Sequence, residues 1–368
     1  MSDTAMLEPL SFADLPGWAE ARLAAPFAAF RRNAARHAAH PPKTRALGID
    51  GAALAAVCAE ALTLPATLDE AAARAFFETR FRPARVHAPG GGFLTGYYEP
   101  ELTASRRPDP AFPVPLLARP DDLVDVDDAT RPPTLPSDYR FARRTAAGLE
   151  PYPDRAAIED GALAGRGLEL AWLADPVDAF FCHVQGSVRL RLVDGGILRL
   201  AYAAKAGHPY TSIGRLLIER GLVAAEAMTL ERLRAWLHDH PGEGRALMRE
   251  NRSYVFFREQ DDLDPTLGAV AAAGVQITPG VSLAVDRTLH TFGTPIFLAA
   301  DLPMAEGAAP APIRRLMLAD DTGSAIVGAA RGDVFFGLGA EAGRAAGRIR
   351  HVPDAFVVLR PEPGEGPR

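Results

Sequence analysis

Between about Leu15 and Arg82 apolar positions recur with a helical period in three alanine-rich segments, Trp18–His40, Gly51–Leu62 and Leu68–Phe81. Each predicts an amphipathic helix. Thr67, with Glu70 three residues on, predicts a capping box for the third. At Val86 the pattern changes. Gly90-Gly91-Gly92 leads into Phe93-Leu94-Thr95-Gly96-Tyr97-Tyr98, an aromatic, β-prone run. The proline-rich, acidic stretch Pro100–Pro153 predicts irregular loops with short extended pieces. Ser187–Val193 and Ile197–Tyr202 alternate apolar and polar residues around Asp194-Gly195-Gly196, which predicts a β-hairpin. Two helices, Ser212–Arg220 and Leu230–His238, and a strand, Ser253–Phe257, follow. From Gly274 the pattern becomes short strands with Gly and Pro breaks: Val281–Val285, Pro295–Leu298, Arg315–Ala319, Ala325–Val327, Val334–Gly337 and Phe356–Leu359. A short helix, Ala340–Arg348, interrupts them. This spacing predicts a small β-barrel, so the fold class is mainly β with a helical N-terminal region.

Composition narrows the class. The chain has 368 residues, 48% hydrophobic and 23% charged, enough for a sizeable core and two or three domains of a globular protein. A formal net charge of -6 argues against a nucleic-acid binder, which would carry a basic face. Lysine occurs only at Lys43 and Lys205, and arginine supplies the remaining cations. Cys58 and Cys182 sit in apolar surroundings and read as small buried hydrophobes. The nine histidines form no close pair with ligand spacing, so no metal is expected; His183 and His208 read as surface or packing residues. Met1–Phe12 has neither a basic start nor an apolar core, so no leader is expected within this sequence.

Three aspartates stand out. Asp286 ends the apolar run Val281–Val285, Asp321 follows Leu316–Asp320, and Asp333 precedes Val334-Phe335-Phe336-Gly337. Taken singly, an aspartate beside a glycine is more often a turn residue that bonds its own backbone. Gathered and partly buried, such carboxyls would keep a proton near neutral pH and serve as a general acid. Glu99 and Glu101 flank Pro100 and are expected at an exposed loop edge, below Asp321 as acids.

Four sequence blocks together carry a resemblance. They are Gly92–Pro100, Gln185-Gly186-Ser187-Val188-Arg189-Leu190 with Tyr202 beyond the hairpin, Asn251–Phe257, and Asp321-Thr322-Gly323-Ser324-Ala325-Ile326 with Gly332-Asp333 and Gly339–Gly343. In this order they resemble the membrane-bound lytic murein transglycosylase A family, and the last block with Asp286 resembles its "3D" module, named for three aspartates. The resemblance spans about Gly91 to Leu359. It implies a double-psi β-barrel domain and an inserted smaller β domain separated by a deep groove. Here residues 1–100 plus 251–368 would form the helical region and barrel, and 101–250 the insert. Ser324 and Val327 depart from the family pattern, where glycine and lysine are common.

The resemblance implies cleavage of the β-1,4 bond between N-acetylmuramic acid and N-acetylglucosamine, giving 1,6-anhydromuramyl ends. The acid–base residue would be Asp321, assisted by Asp286 and Asp333. Thr95, Gly96, Tyr97 and Tyr98 would line the substrate site, with one of the two tyrosines in the core by strand alternation. Gln185, Gly186 and Ser187 would contribute groups for N-acetyl and hydroxyl recognition. Asp320 is expected to point away from Asp321. Peptidoglycan strands are the implied partner, with other cell-wall enzymes beside them. No cofactor is implied, a monomer is expected, and the location is the periplasm, with outer-membrane association. Two other readings stay open: an inverting glycoside hydrolase with a second carboxylate, and a non-catalytic wall-binding module.

Overall fold

The computed structural model describes residues 6–88, 90–127, 129, 131–303 and 311–362. The chain divides into two compact units, Met1–Tyr98 with Leu263–Arg368, and Glu99–Asp262.

The first unit opens with β1 (Met6–Pro9) and helices α1 (Ala24–Ala39), α2 (Gly51–Thr63) and α3 (Glu70–Arg80). α1 begins later than its apolar pattern suggests, because Trp18 is used in the core: its ring packs edge-on to Phe297 at 5.4 Å and its indole N–H donates to Glu78. Asp50 caps α2 by accepting the Ala52 and Ala53 N–H groups, and Asp69 caps α3 by accepting the Ala72 N–H. The expected Thr67–Glu70 box is not formed. The Glu70 carboxylate instead accepts the N–H groups of Leu23 (2.6 Å) and Ala24 (3.1 Å), so one helix caps another. Phe27, Phe30, Phe76, Phe77 and Phe81 gather between α1, α3 and the following strand.

That strand is β2 (Phe81–His87), followed by β3 (Phe93–Glu99). The chain then builds the second unit from β4 (Glu101–Ser105), β5 (Val114–Leu117), β6 (Leu123–Asp125), β7 (Phe141–Thr145), β8 (Gly148–Glu150), β9 (Glu169–Leu173), β10 (Ser187–Leu192), β11 (Ile197–Lys205) and β12 (Val255–Glu259). The strands run β12-β11-β10-β4-β9-β5 in one sheet, and a bridge from Ala118 to Phe257 joins its two ends. The hairpin read from the sequence is β10–β11. β6, β7 and β8 form a separate small sheet. Helices α4 (Arg155–Ala157), α5 (Pro176–Gln185), α6 (Ile213–Glu219), α7 (Leu230–Asp239) and α8 (Pro241–Glu250) complete this unit. Residues 251–262 belong to it because β12 pairs with β11.

The first unit resumes with β13 (Ser282–Val285), β14 (Pro295–Leu302), β15 (Ala311–Asp321), β16 (Arg331–Leu338), α9 (Gly339–Ala346), β17 (Arg350–His351) and β18 (Ala355–Pro361). Its nine-stranded sheet is ordered β1-β2-β18-β14-β15-β13-β16-β3-β17. Along β14, Phe297 and Ala299 pack with the helices, while Ile296, Leu298, Ala300 and Leu302 pack into the opposite core. A strand covered on both faces explains its nearly unbroken apolar sequence. The expected strand Ala325–Val327 is instead part of a turn-rich loop. Among the described residues, no helix is long and apolar enough to cross a membrane.

Candidate active site

β13 is the short central strand of the site. It runs parallel to β15 on one side and antiparallel to β16 on the other. Ala284 pairs with Asp321 across one edge and with Asp333 across the other. The two aspartates therefore flank one position, two strand spacings or roughly 10 Å apart at the backbone.

Asp321 is the last residue of β15 and reaches solvent in part. Its Oδ1 accepts the Thr322 N–H at 2.8 Å and the Ala272 N–H at 3.4 Å; its Oδ2 accepts the Tyr97 hydroxyl at 3.0 Å. Burial pushes its pKa up to about 6, and the charge of Asp333 adds to this, against the three donors that favour the anion. Tyr97 is held well above the usual phenol range, first by burial and then by the charges of Asp321 and Asp333, so it remains a donor. Thr322 fixes the turn after Asp321 by donating its hydroxyl to Val285 at 2.7 Å.

Asp333 is joined to this group through a relay. Arg331 donates to the Thr95 hydroxyl at 2.6 Å, and Thr95 donates to Asp333 at 2.5 Å. Burial raises the Asp333 pKa, opposed by Thr95 and Arg331. Arg331 also lies over the Phe93 ring, 5.4 Å from its centroid. Thr95 and Tyr97 thus present side chains from one face of β3, as its period of two requires.

The other expected residues take different places. Tyr98 is buried, and its ring fills the space where Gly343 of α9 has no side chain. The resemblance places Gly96 among the residues that line the substrate site. A Cβ there would lie 2.7 Å from Ala346 Cα and 2.8 Å from both Ala346 O and the Phe336 ring, so its open side is already filled by protein. Gly96→Ala is expected to destabilise the first unit by roughly 1–3 kcal/mol, because backbone and not a flexible side chain must move. Thermal unfolding checks this, and an unchanged melting temperature would contradict it.

Asp286 is buried, and its carboxylate is committed locally. Oδ1 accepts the Thr288 N–H (2.9 Å) and hydroxyl (2.6 Å), and Oδ2 accepts the Gly328 N–H (2.9 Å). It ties the end of β13 to the loop after Asp321. Gln185, Gly186 and Ser187 lie in the second unit: Gln185 ends α5, Gly186 caps it with φ 78°, and Ser187 opens β10. Ser187 is buried. His183 and His208 are both buried there, His183 stacked on Phe257 and His208 bonded to Tyr139 and Tyr152.

Glu99 departs most from expectation. It is fully buried rather than exposed, with Oε2 accepting Arg199 at 2.6 Å. Burial raises its pKa and Arg199 opposes the rise. Glu101 is partly buried and accepts Arg191 at 2.7 Å. No local signal announces these pairings, because the partners lie 100 and 90 positions along the chain.

Residues 93–258 match the MltA specific insert domain and 281–359 the 3D domain. Membrane-bound lytic murein transglycosylase A from Vibrio cholerae is 34% identical over 265 residues, covering 71% of this chain and 64% of that protein's length. The crystal structure of a membrane-bound lytic murein transglycosylase from Agrobacterium tumefaciens superposes with a TM-score of 0.88 at 43% identity, covering 96% of this chain and 97% of that one. The chain belongs to the membrane-bound lytic murein transglycosylase A family. Another member, MltA from E. coli with bound chitohexaose, superposes with a TM-score of 0.68 at 26% identity, covering 97% of this chain and 92% of that one. The Asp-Thr-Gly block and Asp333 fall within the 3D match, and Thr95 and Tyr97 within the insert match.

Proposed function

We propose that this chain is a lytic transglycosylase that cleaves the β-1,4 MurNAc–GlcNAc bond of peptidoglycan, with Asp321 as its acid–base residue. The observation that carries the reading is the Asp321 carboxyl on a partly exposed strand-end residue, pushed up to about 6 and held by three donors. It is supported by family membership and by the oligosaccharide bound in the E. coli relative.

In the proposed cycle, protonated Asp321 donates to the glycosidic oxygen as the bond from C1 breaks and positive charge develops there. The resulting carboxylate, accepting Tyr97 and the Thr322 N–H, takes the proton of the muramic C6 hydroxyl. That oxygen closes on C1, leaving a 1,6-anhydro end and returning the proton to Asp321. No water is consumed. The nucleophile is held within the substrate, an entropic advantage over a solvent molecule. Thr95 and Asp333 would hold a sugar hydroxyl or offset charge at C1. Asp286 would act indirectly, by fixing the loop after Asp321. Gln185 would offer its amide to an N-acetyl group.

A double-psi topology is inferred for the barrel of the first unit, supported by the parallel β13–β15 pair beside the antiparallel β13–β16 pair. A periplasmic location follows from the substrate, since peptidoglycan lies outside the cytoplasmic membrane. Mass spectrometry of digested sacculi tests the reaction: 1,6-anhydromuramyl ends are expected, and reducing ends would replace this reading with hydrolysis.

The Tyr97 hydroxyl favours the anionic form of Asp321. Tyr97→Phe is therefore expected to raise the Asp321 pKa further and move the alkaline limb of kcat/KM to higher pH. A turnover loss of roughly tenfold would follow from one lost bond to a charged group. A limb that stays in place or moves down would contradict this role.

A further inference from the structure

β16 carries Arg331 and Asp333 two residues apart, so the strand period puts both on one face. Gly332 between them faces the core. A Cβ there would lie 3.1 Å from both Leu94 Cδ2 and Leu283 Cδ1, and 3.3 Å from the Phe356 ring. That packing fixes which face of β16 carries Arg331 and Asp333. β3 is the neighbouring strand, and the Phe93 N–H donates to the Ala330 carbonyl at 3.0 Å where the two meet. Thr95 of β3 stands between the two charged residues of β16. Its hydroxyl oxygen accepts Arg331 Nη2 at 2.6 Å, and it donates to Asp333 Oδ1 at 2.5 Å.

The direction of this chain follows from donor chemistry. A guanidinium carries donors and no acceptor, so the Thr95 proton cannot be directed at Arg331. Asp333 is the acceptor that the Thr95 hydroxyl meets among the described residues. The hydroxyl therefore points at Asp333 and holds Oδ1 as an acceptor. Oδ2 of Asp333 takes no hydrogen bond among the described residues, and the residue stays partly exposed. Arg331 is itself immobilised. Its other contacts are the carbonyls of Gly332 and Phe93 and the face of the Phe93 ring, 5.4 Å from its centroid. A planar fork held at several points is a fixed donor.

We propose that Arg331 is a positioning residue for glycan cleavage: acting through the Thr95 hydroxyl, it holds Asp333 so that Oδ2 is presented as an open acceptor to a donor group of the sugar beside the scissile bond. Hydroxyl and N-acetyl N–H groups are the donors that a peptidoglycan sugar offers. The proposal rests on the transglycosylase reading of the site and gives Asp333 a defined task within it. A carboxylate free to rotate would present either oxygen in turn, and part of the advantage of a fixed geometry would be lost.

The test is a double-mutant cycle on the release of 1,6-anhydro products from purified sacculi, read as kcat/KM, with thermal unfolding as the control for folding. Arg331→Met keeps the apolar stem against Phe93 and removes the donors; it is expected to lower kcat/KM roughly tenfold. In a Thr95→Val background, where the link is already cut, the same change is expected to lower it by less than about twofold. In a Thr95→Ser background, which keeps the hydroxyl, the larger effect is expected to return. A purely structural Arg331 would act alike with or without that hydroxyl. Equal losses in the valine and serine backgrounds therefore overturn the proposal, as does an Arg331→Met chain as active as the parent. Should Arg331→Met not fold, Arg331→Lys is carried through the same cycle. An ammonium cannot reproduce the planar fork, so the same dependence on the hydroxyl is expected, and equal losses again overturn the proposal. A parent chain that releases reducing ends in place of 1,6-anhydro ends removes the reading beneath, so the two failures are distinct.

Discussion

Asp321→Asn is expected to abolish sacculus lysis, lowering turnover by roughly 10³-fold or more, while the chain remains folded and still binds the glycan. The magnitude follows from removing the only proton carrier in the proposed cycle, since general acid–base catalysis alone contributes about 10²–10⁴-fold. The same variant is expected to be more stable than the parent above pH 6. Asp321 is raised from 3.8 to about 6, so the folded chain binds the proton more tightly than the unfolded chain. Its contribution to stability is full below about pH 4 and is lost as pH rises through 6. An amide has no such loss, and a gain of about 1–3 kcal/mol at pH 7.5 is expected by thermal unfolding. Retained lysis, or a clear fall in melting temperature, would contradict the account. Loss of activity with gain of stability is the signature of a group placed for chemistry at the expense of the fold.

The largest stability effect is expected far from that chemistry, at Arg155 in the second unit. Its side chain is 1% exposed. It donates to the carbonyls of Asn251 (2.9 Å) and Ser253 (2.8 Å), pairs with Glu159, and meets His183 Nδ1 at 3.1 Å. Its guanidinium also lies over the rings of Phe180 (4.8 Å) and Tyr254 (5.3 Å). Arg155→Ala strands two buried carbonyls and leaves a cavity, a cost of roughly 3–5 kcal/mol. That corresponds to a fall of about 10 °C in the unfolding transition of a unit this size. Arg155→Lys is expected to recover little, because a point charge cannot reproduce the planar fork. A transition within roughly 2 °C of the parent for the alanine variant would contradict this assignment.

Some elements were legible because local signals agreed. α2 combines a helical apolar period with Asp50 as its cap, and β10–β11 alternates cleanly around Asp194-Gly195-Gly196. α5 was missed although Asp175, Pro176 and Gly186 mark both its ends. Its Phe180-Phe181-Cys182 residues form a short continuous apolar run, which periodicity alone does not assign to helix or strand. The site was less legible from the residues alone. Tyr97 and Asp321 stand 224 positions apart, and Thr95 and Asp333 stand 238 apart. No local pattern announces such pairs; the family resemblance brought these residues together before the fold did. Burial of Glu99 against Arg199 lay outside both kinds of reading, because Pro100 suggested a loop where β3 and β4 make a continuous path.

Digestion of sacculi in water enriched in oxygen-18 tests the central claim most directly. If the muramic C6 oxygen closes on C1, every new end should carry the 1,6-anhydro mass and no label. One heavy oxygen at C1 of each new end would mean that water is the nucleophile, and the single-carboxyl cycle assigned to Asp321 would be wrong.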